Sequence, residues 1–195
     1  MRSKTLLVIA ALTMTLVLAP ATFANIVNNG SFETSDFSGW STGGNFQFTQ
    51  VVSGSFYVYS GAEDGNFYVT MGPVGSDGTL SQTLTTNVGQ HYTFSFWLNA
   101  VGDNPSHFAA SWDGTALYDQ RNPTTDNVWT QFSFDVVGTG SDTISFAFRD
   151  DPAYIALDNI SVEPVQGGVP EPGSLFLMGS GLLGLGGVIR RKLGR

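Results

Sequence analysis

Residues 91–100, HYTFSFWLNA, constrain the fold of this chain more than any other stretch. Tyr92, Phe94, Phe96 and Leu98 alternate with Thr93, Ser95, Trp97 and Asn99, the period of a strand that buries one face. Residues 128–137 repeat the pattern, with Val128, Phe132, Phe134 and Val136 on one side and Trp129, Gln131, Ser133 and Asp135 on the other. Residues 142–149 set Ile144, Phe146 and Phe148 inward and Ser145, Ala147 and Arg149 outward. Shorter runs of the same kind fall at 46–52, 56–59, 66–71, 79–86, 108–112, 117–120 and 155–162, separated by Gly, Asp, Asn and Ser clusters. Asp113-Gly114 between two of them is a tight hairpin signal. No segment of this body has helical periodicity, and neither a repeat nor a second domain is visible. About ten regularly punctuated strands predict an all-β fold, an antiparallel β-sandwich of jelly-roll type.

The two ends have a different grammar. In residues 1–24, Arg2 and Lys4 precede an apolar run at 6–18, and Thr22, Phe23 and Ala24 form a small-x-small cleavage site. This is the order of a secretory signal peptide, with the mature chain expected to start near Asn25. Residues 169–195 begin with Val169, Pro170, Glu171 and Pro172, continue in an apolar run from 175 to 189, and end in Arg190, Arg191 and Lys192. The prolines hold their segment extended and open to a processing enzyme. The run is shorter than the roughly 20 residues of a stable spanning helix and contains five glycines, so it reads as a weak, temporary transmembrane anchor with its basic end retained in the cytoplasm.

That tail closely resembles the PEP-CTERM sorting signal of Gram-negative bacteria that make extracellular polysaccharide. The resemblance implies a C-terminal sorting helix and a transient stay in the inner membrane. It also implies recognition by an exosortase, a membrane-embedded cysteine protease or transpeptidase, with cleavage near Pro170–Pro172. Expected organisation is therefore signal peptide 1–24, β-sandwich 25–168 and sorting signal 169–195.

Between the two ends the charge is lopsided. Arg121 and Arg149 face fifteen carboxylates, leaving the body near −13 although the whole chain is −8. Such a surface repels nucleic acid and anionic lipid. It tolerates cations, neutral polysaccharide, or acidic polysaccharide bridged by calcium. With no cysteine, an exported domain must rest on core burial or on a metal for closure.

Two separated segments carry a second resemblance. Asn28-Asn29-Gly30-Ser31-Phe32-Glu33, followed by a Trp at 40, lies near the start, and Ile155 to Val162 with Asp158 lies near the end. Leu80 to Leu84, the strand at 92–98 and Trp129 to Phe132 fall between them in matching order. Together they resemble the galactose-binding-like jelly rolls of carbohydrate-binding modules that carry a structural calcium. The resemblance implies that Glu33 and Asp158 sit side by side and share that ion. Sugar rings stack on exposed aromatic faces while polar side chains bond their hydroxyls. On that ground Trp112, Tyr118 and Trp129 are the ligand candidates, and Trp40 and Trp97 are expected to pack.

Catalysis has little to stand on. There is no cysteine nucleophile, His91 and His107 have no metal-ligand spacing, and no glycine-rich phosphate loop is present. The expectation is an exported, non-catalytic protein of the cell surface or matrix that binds or organises exopolysaccharide, giving biofilm cohesion. A glycosylated structural coat protein is the alternative, and a secreted hydrolase the third.

Overall fold

The computed structural model describes residues 24–165. The expected signal peptide at 1–24, apart from Ala24, and the expected sorting segment at 169–195, with its sorting residues, lie outside the described residues. Ten strands run β1 (Ser41–Gly44), β2 (Thr49–Ser53), β3 (Phe67–Met71), β4 (Gly78–Thr85), β5 (His91–Asn99), β6 (Ser106–Trp112), β7 (Thr115–Arg121), β8 (Thr130–Val137), β9 (Ser141–Asp150) and β10 (Ile155–Pro164). They form two five-stranded sheets. A back sheet has the order β1-β4-β9-β6-β7 and a front sheet the order β2-β3-β10-β5-β8, with every pairing antiparallel. This is the expected sandwich.

The alternating strands pack as their pattern requires. Phe94, Phe96 and Leu98 of β5 and Ile144, Phe146 and Phe148 of β9 are fully buried between the sheets. Rings interlock across the gap: Phe96 meets Phe146 edge-on at 5.4 Å and lies 5.6 Å from Phe108. Each such side chain contributes roughly 1.5–3 kcal/mol of burial, which lets a domain without disulfides hold together. At the Asp113-Gly114 turn both residues have positive φ, 48° and 75°, as a two-residue hairpin twisted with its strands demands.

The N-terminal segment is bound in beside β10. Ile26 N donates to Val162 O and Ile160 N to Gly30 O. A Cβ at Gly30 would lie 2.1 Å from Ile160 O, so the glycine is required by backbone approach. Gln82 receives Asn28 N on its Oε1 and donates its Nε2 to Asn28 O, doing with a side chain what a neighbouring strand would do.

Three local expectations are corrected. Val128 is 60% exposed and precedes β8, because Thr125 to Val128 turn on a Val128 N to Thr125 O hydrogen bond. Residues 56–59 form no strand but a tight turn closed by reciprocal Phe56–Tyr59 bonds. β1 was invisible: its four residues, STGG, hold no apolar side chain, and the strand exists through its pairing with β4.

Candidate functional site

The outer surface of the front sheet is divided in two by the connection between β2 and β3. This connection folds back over the sheet instead of looping away from it. Its Tyr59 is buried against Tyr68 and Ala156 of the sheet, and Trp129 and Tyr154 pack around them. Trp129 Nε1 donates to Gly61 O at 3.1 Å, Asn127 Nδ2 to Val58 O at 3.3 Å, and Tyr59 Oη to Tyr154 O. Burial pushes the Tyr59 hydroxyl far above the usual phenol range. It acts as a donor at every accessible pH.

The other half of that surface is open. There β8, β5 and β10 lie side by side, and register brings Ser95 opposite both Ser133 and Ser161, Thr93 opposite Glu163, and Gln131 opposite Trp97. All of these but Trp97 floor a cleft of about 650 Å³, with Asp64 and Asn159 at its rim. Its lining is hydroxyl, amide and carboxylate, chemistry suited to ligand hydroxyls. Thr93, Ser95, Gln131 and Ser133 were all legible as outward positions of their strands. What the sequence did not show was that the two strands are neighbours.

The three aromatic candidates are not brought together. Trp112 is a core residue, 7% exposed and 6.2 Å from Phe94, and its candidacy as a sugar platform is corrected. It closes the buried alternation Ser106, Phe108, Ala110, Trp112 along β6, so the polar turn that follows it does not expose it. Tyr118 is half-buried on the inner side of β7, 4.7 Å from Phe132, with its hydroxyl pushed up by burial. Trp129 does lie on the outer front surface, but edge-on against Tyr68 at 5.9 Å under the folded-back connection. Trp40 packs in the core as expected, 8% exposed and donating Nε1 to Asn29 O. Trp97, also expected to pack, is only half-buried and continues the outward face of β5 past Ser95.

Glu33 and Asp158 converge on one segment, residues 63–67. Asp158 is fully buried; its Oδ2 accepts Glu63 N and Asp64 N at 2.8 and 3.0 Å, and its Oδ1 accepts Asn159 N at 2.7 Å. Burial raises its carboxyl to about 7, opposed by those three amides and aided by the nearby Glu63 charge. Glu33 is exposed, and its Oε1 accepts Phe67 N and Asn66 N at 2.9 and 2.8 Å, which holds its carboxyl below the usual range. Much of the closure expected of a metal is thus made by carboxylate–amide bonds. The donor set is nonetheless all oxygen, with one lone pair of Asp158 Oδ1 and most of Glu33 Oε2 left over. That chemistry fits a hard cation such as calcium. Among the described residues no group of three or more His, Cys, Asp or Glu side chains is gathered as a metal site.

Such a sandwich is shared with solved carbohydrate-binding modules and an adhesin domain. The chain is 20% identical to TmCBM61, solved with beta-1,4-galactotriose, over 73% of this chain and 99% of that one, with a TM-score of 0.59. The CBM22-1 xylan-binding domain of Paenibacillus barcinonensis Xyn10C is 19% identical, covers 76% and 99%, and has a TM-score of 0.51. The K3 cleaved adhesin domain of Lys-gingipain from Porphyromonas gingivalis W83 is 18% identical over 73% and 97%, also at 0.51. No curated protein matches the chain in sequence. The body therefore has the jelly-roll fold that these domains share.

The tail completes the assignment. Residues 168–192 match the PEP-CTERM protein-sorting motif. The chain thus joins a jelly-roll body to a PEP-CTERM sorting motif, which indicates a protein exported and targeted to the cell surface.

Proposed function

We propose that this exported protein binds or organises extracellular polysaccharide, without catalysis, through the open cleft on its front sheet. One observation carries the reading: a polar cleft of about 650 Å³, floored by Ser95, Gln131, Ser133 and Ser161 and flanked along β5 by half-buried Trp97. Hydroxyls and amides can exchange hydrogen bonds with sugar hydroxyls, and an indole beside them can take a C–H face. The fold is one that the galactotriose- and xylan-binding domains also use. Retention follows from sorting: an exosortase cuts near Pro170–Pro172 after the tail has held the protein in the inner membrane. The carboxylate-rich surface favours neutral glycans at this face.

Calcium would be held by Glu33 and Asp158, supplying charge that offsets the buried Asp158 carboxylate. Segment 63–67, which Asp158 and Glu33 hold by its amides, brings Asp64 to the cleft rim. The two acids therefore shape the cleft. EDTA is expected to lower the melting temperature and excess Ca²⁺ to restore it. An unchanged melting curve would remove the metal from the account.

Binding is tested by affinity electrophoresis of the exported protein in gels carrying β-1,4-galactan, xylan or the host's own exopolysaccharide. Retardation in at least one, lost in a Gln131→Ala/Ser133→Ala variant, is the expected result. Retardation that the double variant leaves intact would show that sugar binds elsewhere. Processing is read from the intact mass of the exported form, which should lack Arg190–Arg195.

A further inference from the structure

All the arginine and lysine of the body gathers at one place on the opposite face. Arg121 and Arg149 are the only such residues between positions 25 and 168, against fifteen carboxylates. In the back sheet β6 lies between β9 and β7, and register places His107 opposite Arg149 on one side and Arg121 on the other. Cross-strand neighbours have Cβ atoms about 4.5–5.5 Å apart, so the imidazole lies directly between the two guanidiniums. The three side chains open on a cleft of about 250 Å³, bounded also by Ser76, Asp77 and Pro105.

The acids around this row are already engaged. Asp77 faces His107 Nδ1 at 2.7 Å and Asp119 faces Nε2 at 3.1 Å. The guanidiniums are less well served. Arg149 holds Asp151 only at 3.7 Å, beyond hydrogen-bond length, and its buried Nε–H has no acceptor. Arg121 is exposed and forms no ion pair among the described residues. The exposed Arg121 guanidinium and the loosely held Arg149 terminal nitrogens are the donors left open to an anion.

We propose that the Arg121–His107–Arg149 row is an anion subsite, taking the carboxylate of an acidic sugar residue between its two guanidiniums. A guanidinium fork matches a carboxylate in plane and charge, where a lysine would offer a point charge. The exposed Ser76 hydroxyl at the rim is available to the sugar's own hydroxyls. That the anion is carried on a polysaccharide rests on the glycan reading above; the preference for an anion rests on this row alone. Because the two clefts lie on opposite sheets, one molecule could hold a neutral and an acidic chain together.

The test is a titration of the exported protein with oligogalacturonate, its methyl ester, and inorganic phosphate, followed through the Arg121 and Arg149 Nε–H resonances and by calorimetry. Oligogalacturonate is expected to shift both resonances and the ester to shift neither. Arg121→Gln, an exposed change that should not disturb folding, is expected to weaken the acidic ligand about tenfold, as loss of one charge-assisted contact would. Raised salt should weaken it too. Equal binding of acid and ester, or no effect of Arg121→Gln, would overturn the subsite. Phosphate binding as tightly as the oligosaccharide would overturn the assignment to a sugar acid. Loss of neutral-glycan binding with the acidic ligand still held would strike only the front-sheet reading.

Discussion

The two sheets are alike inside and unlike outside. Both bury alternating aromatic and aliphatic residues, and their inner faces form one core. Outside, the front sheet pairs serine with serine and threonine with glutamate across β8, β5 and β10, bears Trp97 and Trp129, and is half roofed by the β2–β3 connection. The back sheet presents Ser81, Thr143, Ser145 and Ala147 and ends in the arginine row. The open parts of both faces are not needed for stability, since an outward position tolerates most polar residues. One outer face is built for hydroxyls beside an indole, and the other concentrates charge.

The largest effect expected is on the segment that edges the front cleft. Asp158→Ala removes the acceptor of three amide hydrogens in a fully buried place. It should lower unfolding stability by about 3 kcal/mol in urea titration, and front-cleft binding should weaken with it. Glu33→Ala, at an exposed carboxylate, should cost about 1 kcal/mol. Equal losses at the two sites would mean that the clamp does not depend on the buried acid.

Next come changes that separate the faces without unfolding either. Trp97→Ala should weaken neutral-glycan binding about tenfold, the range of a lost base- or sugar-type stacking contact. Thr143→Ala on the back sheet should leave it unchanged. A matching loss from both would erase the distinction between faces.

A separate effect is a pH dependence at the back-sheet end of the core. Asp150 is 1% exposed with Oδ1 unpartnered, and burial, then the charges of Asp103 and Asp151, raise its carboxyl to about 7. A carboxyl raised on folding contributes fully below its unfolded value of about 4, and that contribution is lost as pH rises through about 7. Asp150→Asn should therefore gain stability relative to the parent as pH increases from 4 to 8, seen as a melting temperature a few degrees higher at the alkaline end. A difference independent of pH would place the strain elsewhere.

Much of the fold was legible because period-2 alternation is local. β5 and β9 could be read residue by residue, and the Asp113-Gly114 turn needed only its own two residues. What was not legible depends on partners distant in sequence. β1 carries no signal of its own, and Val128 looked like the start of an apolar face until its turn was seen. Trp112 beside a polar turn looked exposed because the sequence does not show which side of β6 faces Phe94. The same limit governed the site. The outward residues of β5 and β8 were correctly sorted by face, yet their union into a cleft is a property of strand order. The gathering of Arg121 and Arg149 around His107 likewise appears only when β6 is placed between β7 and β9.

The central claim is that the front cleft holds neutral polysaccharide. The most direct measurement is affinity electrophoresis of three forms of the exported protein in the neutral polysaccharides β-1,4-galactan and xylan: parent, Gln131→Ala/Ser133→Ala, and Arg121→Gln. The account predicts that parent and Arg121→Gln are retarded alike and that the double variant runs free. Free migration of the parent in every gel, or equal retardation of all three forms, would contradict it.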